Sequence, residues 1–507
     1  MAIAHRTKPK RTRPASPARH RKSVRSRGLR SARWRANGHG GPALHGAVPA
    51  ALNLNDGNYL RALEFLGRHP DYERIPIARY NPATFDLDRM RRLLKLLGDP
   101  HLAFKTAHVA GTKGKGSTCH MLAGMLRSAG LKTGLYTSPH LLDLRERIQI
   151  NGQLIAPEEL VRLVRCVGAA LRKMSLTPTF FEILTALGFR YFADQSVDIA
   201  VIETGLGGRL DSTNVITPEV TAITSISMDH VALLGHSLAK IAEEKAGIFK
   251  PGVPAVSCPQ DPAVQEVLQR VARKVGAPLE FLGREIDFTH RFELTRQDGP
   301  QVRVTLNTER CRFEQLPVPL PGEHQAVNCG LALVMLDKLQ GRGWQFDQAK
   351  IVEGLRQVRV PGRLETVWRD PRVVIDGAHN AASMQALFHG ISQYISYDSM
   401  VVIFGCNSDK DIDGMLEQVA RGADKVIFTR AINHPKSASP EQLAALYMER
   451  FGKMAQAAAD FRQAMAIAAR AITREDLVTV TGSFYLIGEA KQYFLDRAAR
   501  RTASSRN

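Results

Sequence analysis

The sequence has few cysteines and no long apolar run. Its 507 residues include six cysteines, and none of them forms a C-x-x-C pair. This scatter argues against a disulfide framework or a zinc site, and it favours a reducing compartment. No apolar stretch approaches the ~18 residues that a membrane-spanning helix needs. We therefore expect a soluble, cytoplasmic protein with no membrane partner.

Acidic residues are absent from the beginning of the chain, where none precedes Asp56. Residues 1–35 carry 13 of the lysines and arginines, which leaves +7 of the formal charge of +20 to the rest of the sequence. A basic segment without apolar periodicity predicts disorder over residues 1–57, and it has no apolar core of a secretory signal. A start codon assigned too far upstream or a solvated tail would explain it. An RNA-contacting or targeting arm is the alternative, but nucleic acid is not an expected partner.

Two series of strand-like runs alternate with helical runs. The first contains KTAHVA, TGLYTS, VDIAVIET, VTAITSI and VPAVSC, and the second contains RVVIDGAH, SMVVIFGC, DKVIFTR and DLVTVTGSF. Such alternation predicts parallel sheets with helices on both faces. The Pro361-Gly362 pair between the series suggests a hinge. We predict a central domain over 58–358, a C-terminal domain over 359–495 and a polar, fraying tail over 496–507.

The stretch VAGTKGKGSTCHML links the first strand to a helix that is predicted to begin at Ser117 and to end at Gly130. Its glycines let several backbone N–H groups face one anion, and the helix N-terminus adds positive potential. Lys115 can reach terminal phosphates, and the Ser117 hydroxyl can bind phosphate or Mg²⁺. The spacing is unusual because Gly116 separates these two residues. A flexible turn is the alternative, but the lysines and hydroxyls favour a nucleoside triphosphate site.

Candidate metal ligands follow three other strands of the first series. Glu203 ends one strand, Asp229 and His230 follow the next, and Ser138 follows a third. Ligands of α/β sheets bind at these carboxyl ends, and such a set suits a hard divalent ion. His230 alone is more often structural, so the prediction rests on the group. From spacing alone, Lys245 reads as a solvated helix lysine.

Several motifs together resemble the folylpolyglutamate synthase and dihydrofolate synthase family of the Mur ligase superfamily. In order, they are HVAGTKGKGST, YTSPHL, TFFEILTALGF, IETGLGGRLDSTN, ITSISMDHVALLGHSLAKIAEEKAGIFK, PGEHQAVN, PGRLE, DGAHN and TGSFYLIGE. The resemblance extends from about residue 58 to 490. The resemblance implies an α/β fold, in which a P-loop ATPase domain with a parallel-rich central sheet precedes a smaller Rossmann-like C-terminal domain.

The resemblance also implies an activity: ATP-dependent ligation of L-glutamate to dihydropteroate, to reduced folates or to both. The acid would attack ATP to give an acyl phosphate and ADP, and the glutamate amine would displace phosphate. The family uses Mg²⁺, and two ions are expected here. We expect a monomer.

The family's site residues map onto matching positions of this chain. Lys115, His230 and Lys245 would be catalytic. The metal ions would be held by Ser138, Glu203, His230 and Lys245, the last as a carbamate, which reverses the interpretation drawn from its spacing. The ATP-binding residues would be Thr112, Lys113, Gly114, Lys115, Gly116, Ser117, Asn328, Arg363, Asp376 and His379.

Three segments match the family's pterin-binding positions. They supply Thr84, Phe85 and Asp86 from ATFDLDRM, Thr179, Phe180, Phe181 and Glu182 from TFFE, and Leu210 from GGRLD. An aromatic ring and a carboxylate suit a flat, hydrogen-bonding pterin. Thr84 and Asp86 could equally form a helix cap. The first segment favours activity on both dihydropteroate and folates.

The sequence departs from the family pattern at a few positions. Lys113 replaces the usual Asn of the phosphate loop, and Ala381-Ala382 follow DGAHN where Pro is usual. Neither change removes a group that the chemistry requires. Two alternatives remain: a Mur-type ligase for another acid, such as a UDP-linked muramyl precursor, and a non-catalytic P-loop or RNA-binding protein.

Overall fold

The computed structural model describes residues 57–75, 81, 84–295, 299–432 and 434–504. Its strands are β1 Lys105–Ala110, β2 Thr133–Tyr136, β3 Ile148–Ile150, β4 Gln153–Leu154, β5 Ile199–Glu203, β6 Val220–Ile223, β7 Ala255–Ser257, β8 Leu279–Phe281, β9 Asp287–Thr295, β10 Gly299–Asn307, β11 Arg312–Pro317, β12 Glu365–Arg369, β13 Arg372–Ile375, β14 Met400–Phe404, β15 Lys425–Phe428, β16 Gln456–Ala457 and β17 Leu477–Thr481. Apart from Gly57, the segment predicted to be disordered lies outside the described residues.

The α-helices alternate with these strands over most of the described chain. They are α1 Gly57–Gly67, α2 Leu87–Leu96, α3 Lys115–Ser128, α4 Pro157–Leu171, α5 Phe180–Asp194, α6 Val231–Leu234, α7 Leu238–Ala246, α8 Pro262–Val275, α9 Glu323–Gln340, α10 Gln348–Arg356, α11 Ala381–Tyr394, α12 Ile412–Gly422, α13 Pro440–Phe451, α14 Phe461–Ala469 and α15 Phe484–Ser504. Short 3₁₀ helices occupy Pro100–Leu102, Leu144–Arg147 and Ser212–Val215.

An eight-stranded sheet forms the first α/β part, which runs from α1 to α10. Its strand order is β4-β3-β2-β5-β1-β6-β7-β8. In this order, the six strands from β2 through β5, β1, β6 and β7 to β8 pair in parallel. At the other edge, β3 pairs antiparallel with both β2 and β4. The central strands β1 and β5 are almost fully buried. Their continuous apolar runs are typical of a sheet that is covered on both faces.

Helices cover both faces of this sheet and so create two cores. On one face α3 and α9 pack together, and the core includes Met121, Leu122 and Leu333. On the other face α1, α2, α4 and α5 enclose a second core around Leu93 and Phe189. This two-sided burial fixes the strands, so their carboxyl ends present the following loops at one edge of the sheet.

A three-stranded antiparallel sheet, in the order β11-β10-β9, packs beside the first part. Its inward residues Val302, Val304 and Leu306 alternate with more exposed ones and join the core that contains α9. The alternation buries one face of the sheet and leaves the other more exposed. The sequence reasoning did not predict this element.

A six-stranded sheet forms the second α/β part, from β12 to α15. Its order is β12-β13-β17-β14-β15-β16, and all neighbours are parallel except β12 and β13. Cores lie on both faces of this sheet. The predicted α/β fold, with a parallel-rich sheet and a second C-terminal α/β part, is confirmed.

The C-terminal segment differs from the expected fraying tail, because α15 continues to Ser504. Phe494 is buried in the helix, and the guanidinium groups of Arg497 and Arg501 lie 5.1 and 4.7 Å from the Trp368 ring centroid. Alanine, leucine and arginine are strong helix formers. The polar residues at positions 497–501 therefore lie on an exposed part of helix α15. The hinge after residue 358 stays a prediction.

No helix in the described ranges has the length and apolar character needed to cross a membrane.

Candidate active site

The glycine-rich loop lies between β1 and α3, at the carboxyl edge of the eight-stranded sheet. The backbone N–H groups of Thr112 and Lys113 donate to the Ser225 carbonyl oxygen at 2.9 and 3.2 Å. The Thr112 hydroxyl donates to the Ser227 carbonyl oxygen, and the Ser227 N–H donates back to that hydroxyl oxygen, both at 3.2 Å. The segment after β6 therefore holds the first half of the loop.

Helix α3 begins at Lys115, two residues before the predicted start. Gly116 and Ser117 therefore lie in its first turn, where backbone N–H groups have no partner within the helix. Such a helix end, preceded by a glycine-rich loop, attracts a phosphate. Ser117 is buried, whereas Lys113 is half-buried and burial lowers its pKa to about 8.

Close contacts require glycine at two positions of the loop. A Cβ atom on Gly111 would lie 1.8 Å from Thr224 Oγ1, and one on Gly114 would lie 2.1 Å from Asn328 Oδ1. Both glycines have positive φ, at 149° and 89°. The loop is thus in direct contact with Asn328, a predicted nucleotide residue on α9.

Glu203 ends β5 and faces the loop. It is 4% exposed, and its Oε2 accepts a hydrogen bond from the Ser138 N–H at 3.1 Å. Lys115 Nζ lies 4.0 Å from Glu203 Oε1. Burial raises the pKa of this carboxyl, and the lysine opposes the rise. The structure therefore brings three predicted site residues together, one each from the ends of β1, β2 and β5.

Lys245 reaches the same loop from α7. It is 5% exposed, and its Nζ donates to the Gly111 carbonyl oxygen at 2.7 Å. Burial, followed by the charge of Lys115, lowers the pKa of Lys245 to about 7. The prediction from spacing alone, that Lys245 is a solvated helix lysine, is therefore wrong. A buried amine of this pKa is half neutral near pH 7, and hence nucleophilic.

Asp229 joins the two α/β parts. Lys410 Nζ, from the second part, donates to Asp229 Oδ1 at 2.8 Å, and His379 Nε2 lies 3.7 Å from Asp229 Oδ2. The neighbouring His230 begins α6 with φ of 49°, and its side chain is 44% exposed. Across the described residues, no three His, Cys, Asp or Glu side chains form a metal-binding group. The ligand set with Ser138 and modified Lys245 stays a prediction.

The predicted nucleoside contacts line a crevice between α9 and the second part. It is lined by Gly322, His324, Gln325, Arg363 and Asp376, among others. Arg363 stacks over Phe484, 4.8 Å from the ring centroid. Asp376 accepts hydrogen bonds from the N–H groups of Leu364 and Ala378, both at 2.8 Å. These contacts fix the position of the carboxylate at the crevice wall.

Asn328 and His379 complete the predicted nucleotide residues. Asn328 Nδ2 donates to Gln325 Oε1 at 2.9 Å, so the amide is held with its oxygen towards Gly114. His379 lies next to the crevice, and its Nδ1 is hydrogen-bonded to the Gly377 carbonyl oxygen at 2.8 Å.

Polar residues of the predicted pterin segments have structural partners. Asp86 caps α2 by accepting the Asp88 N–H, and Thr179 and Glu182 form a capping box at α5. The Glu182 carboxylate also pairs with the buried Arg89, whose Nη2 donates to the Thr84 carbonyl oxygen at 3.1 Å. The helix-cap alternative is therefore present for Asp86. Pterin contact by these side chains stays a prediction.

Among the apolar residues of the same segments, Phe181 contacts the loop after Glu203. The Phe181 ring fills the space beside Gly205, where a Cβ atom would lie 2.5 Å from it, and it lies 6.0 Å from the Tyr136 ring. Phe85 lies 5.6 Å from the Tyr72 ring. Phe180 and Leu210 are buried, at 3% and 8% exposure.

Asp211 is an organising residue that the sequence reasoning did not select. Its Oδ2 accepts hydrogen bonds from the N–H groups of Gly205 and Leu206, each at 2.9 Å. Its Oδ1 accepts hydrogen bonds from the backbone N–H and the side-chain hydroxyl of Thr213. These bonds fold the loop so that Gly208 packs on the α7 carbonyls beside Lys245. The LDST sequence, with an Asp two residues before Thr, is the signal that predicts such a turn.

Two family models match the chain, one within the first α/β part and one largely within the second. The Mur ligase middle domain matches residues 109–336, and the Mur ligase glutamate ligase domain matches residues 362–484. A dihydrofolate synthase/folylpolyglutamate synthase of Mycobacterium tuberculosis is 35% identical over 458 residues, which cover 83% of this chain and 92% of that protein. The chain belongs to the folylpolyglutamate synthase family of Mur ligases.

Solved structures of the folylpolyglutamate synthase family have the same fold. The Mycobacterium tuberculosis folylpolyglutamate synthase complexed with ADP superposes with a TM-score of 0.77 at 32% identity, covering 86% of this chain and 98% of that one. A folylpolyglutamate synthase complex with AMPPCP and folate gives a TM-score of 0.74 at 31% identity, covering 86% and 100%. The resemblance inferred from the motifs is confirmed.

Proposed function

We propose that this chain joins L-glutamate to the carboxyl group of a folate or of dihydropteroate, using ATP and releasing ADP and phosphate. The observation that carries the proposal is the meeting of the phosphate loop, Glu203 and Lys245 at one sheet edge, with the second α/β part bound across it through Asp229 and Lys410. The relatives named for this activity, and the complexes with ADP, AMPPCP and folate, support it.

The phosphate loop would hold the triphosphate of ATP. The N–H groups from Gly114 to Ser117, at the N-terminus of α3, would offer hydrogen bonds to phosphate oxygens. Lys115 adds a mobile cation at the terminal phosphate. Asn328 touches the loop from α9, and Arg363 and Asp376 would reach the nucleotide from the second α/β part.

The reaction then proceeds by two displacements. A carboxylate oxygen of the acceptor attacks the γ-phosphorus, the bond to the β–γ bridging oxygen breaks, and ADP leaves. The amine nitrogen of glutamate attacks the carbonyl carbon of the acyl phosphate, the carbon–oxygen bond to phosphate breaks, and the amine loses a proton. Lys115 offsets negative charge in the first step, and closure of the two parts keeps water from the acyl phosphate.

Magnesium binding suits the buried carboxylate at the end of β5. Glu203 is buried with one backbone donor and one lysine at 4.0 Å, so a hard cation would complete its charge balance. Ser138, Glu203, His230 and Lys245 would hold two ions. Bound there, Mg²⁺ supplies charge neutralisation to the phosphates. Lys245 would contribute as a carbamate, and its low pKa provides the neutral amine that carbon dioxide requires.

The acceptor would lie against the apolar residues that follow the pterin segments. Phe85, Phe181 and Leu210 offer flat or aliphatic surfaces to the ring. The Thr84–Asp86 segment favours activity on dihydropteroate as well as on folates. Both halves of the site come from one chain, which is consistent with a monomer working in the cytoplasm.

The test is glutamate incorporation by the purified full chain with MgATP, given dihydropteroate and tetrahydrofolate separately. We expect phosphate release matched by glutamylated product with both acceptors. Lys115→Ala and Glu203→Ala should lose at least a hundredfold in kcat, since each removes charge compensation in the reaction. Lys105→Ala, which removes an exposed lysine at the far end of β1, should retain wild-type activity. A folded protein that releases phosphate with neither acceptor would refute the proposal.

A further inference from the structure

His434 is a buried histidine in the segment between β15 and α13. It is 7% exposed, and within the ranges that the structure describes neither Nδ1 nor Nε2 has a hydrogen-bond partner. The imidazole packs against the Tyr485 ring at a centroid distance of 3.9 Å. Buried polar atoms nearly always have partners. Two unpaired ring nitrogens on one side chain therefore indicate a ligand that is not part of the chain.

A lysine accompanies this histidine. Lys436 is two residues further on, with a side chain 13% exposed and 3.9 Å from Asp409. Its Nζ donates to the Tyr72 carbonyl oxygen at 3.3 Å, across the boundary between the two α/β parts. Burial, with Arg74 and Lys436, lowers the pKa of His434 to about 4. The imidazole is thus neutral at pH 7, with one N–H to donate beside an ammonium group.

A chain of contacts joins Lys436 to the proposed reaction centre. Lys436 contacts Tyr72, which precedes Glu73, and the carbonyl oxygen of Arg147, the partner of Glu73, accepts the Thr137 N–H at 3.1 Å. The next residue, Ser138, donates to Glu203. Arg147 is fully buried and pairs with Glu73 at 2.6 Å. Arg147 opposes the rise in pKa that burial causes both in Glu203 and in Tyr485. One positive charge therefore acts on the reaction centre and on the ring against which His434 packs.

We propose that His434 and Lys436 form a subsite for the α-carboxylate of a glutamyl unit. An ammonium group and a neutral imidazole N–H are suitable donors to a carboxylate, and hydrogen bonds to charged groups are the strong ones. This inference rests on the proposed function, which brings such carboxylates to the reaction centre from two sources. One is free L-glutamate, and the other is the γ-linked glutamyl tail of a folate acceptor. Dihydropteroate has no glutamyl unit.

Two variants separate the subsite from a structural role. His434→Phe keeps an aromatic ring against Tyr485 and removes both nitrogens, and Lys436→Gln keeps a donor for the Tyr72 carbonyl and removes the charge. Lys425→Gln is the matched control, because Lys425 also donates to a main-chain carbonyl, that of Ala471 at 2.8 Å, but lies at the opposite end of β15.

The assays measure KM in two series. In the first, L-glutamate is varied with saturating dihydropteroate. In the second, tetrahydrofolates with one and with three glutamyl units are varied with saturating L-glutamate. If the tail occupies the subsite, the KM of the triglutamyl folate rises about tenfold in both variants while the KM of L-glutamate is unchanged. If free glutamate occupies it, the KM of L-glutamate rises about tenfold with every acceptor. Either result supports the subsite.

Unchanged KM values in both series, in folded His434→Phe and Lys436→Gln proteins, would overturn the inference. A fall in kcat alone would also overturn it, because it would indicate a structural effect. Calorimetric titration of pteroyl-tri-γ-glutamate in the presence of AMPPCP provides a readout that needs no turnover. A wild-type protein that binds this probe through His434 and Lys436 but ligates nothing would retain the subsite and refute the proposed function.

Discussion

Gly114→Ala tests the contact between the phosphate loop and α9. The new Cβ would lie 2.1 Å from Asn328 Oδ1, on a backbone with φ of 89°. A non-glycine residue in this region costs about 1–2 kcal/mol. Relief of the clash requires the Asn328 amide to turn away from Gln325, which loses a hydrogen bond worth about 1 kcal/mol. We expect a stability loss of about 2–3 kcal/mol and a roughly tenfold weaker nucleotide affinity.

Gly130→Ala isolates the clash from the backbone strain. Gly130 follows the other end of α3 with φ of 100°, but a Cβ there meets nothing within 4 Å. This variant should lose only about 1–2 kcal/mol and bind nucleotide normally. Denaturant unfolding gives the stabilities, and titration with AMPPCP gives the affinities. Equal nucleotide affinities for the two alanine variants would refute the reasoning.

Three further changes probe separate parts of the molecule. Arg89→Met leaves the Glu182 carboxylate buried without its partner, and it should lower the free energy of unfolding by about 3–5 kcal/mol in denaturant unfolding. Arg91→Met removes an exposed ion pair nearby and should lower it by under ~1 kcal/mol. Similar losses for the two variants would contradict this. Burial raises the pKa of Glu489 to about 7, so the native state binds the extra proton between pH 4.5 and 7. Wild-type stability should therefore fall by up to about 3 kcal/mol as pH rises through that window. Glu489→Gln should remove the fall, and an unchanged profile in the variant would refute the assignment. Lys410→Gln breaks the buried ion pair between the two parts and should lower kcat about tenfold. It should also lower thermal stability, because the Asp229 carboxylate stays buried without its lysine. Wild-type kcat would contradict a role in closure.

Local patterns were sufficient to predict the phosphate loop and the buried strands. KTAHVA corresponds to β1 residue for residue, because a short apolar run before a glycine-rich loop has few other structures open to it. The start of α3 was placed two residues late, since Lys115 and Gly116 were assigned to the loop. Helix ends depend on cap geometry, and here the cap is Gly114 with positive φ.

The sheet formed by β9, β10 and β11 was missed although its signal is present. The sequence has an Asp-Gly pair at positions 298 and 299, where the second long strand begins, and this pair is a strong hairpin pattern. The alternation of apolar and charged residues in the two long strands is typical of a sheet with one exposed face. The strand predictions relied on continuous apolar runs, and such runs are typical only of strands that are covered on both faces.

The contacts that join the two α/β parts had no local signal at all. Lys410 and Asp229 are 181 residues apart, and Lys436 and Tyr72 are 364 residues apart. Such pairs depend on how two separate sheets meet, which periodicity does not record. The ion pair of Glu182 with Arg89 likewise had no local signal, because the two residues are 93 positions apart, and contact of the TFFE segment with a ligand stays a prediction.

The central claim is that a carboxylate of the acceptor is activated by phosphoryl transfer at the loop that carries Lys115. The most direct measurement uses tetrahydrofolate or dihydropteroate with ¹⁸O in the reacting carboxylate, together with MgATP and L-glutamate. Mass analysis of the released phosphate then follows one oxygen atom. The account predicts one ¹⁸O in each phosphate released, and a rate of release that falls together with product in Lys115→Ala. Glutamylated product accompanied by unlabelled phosphate would contradict it.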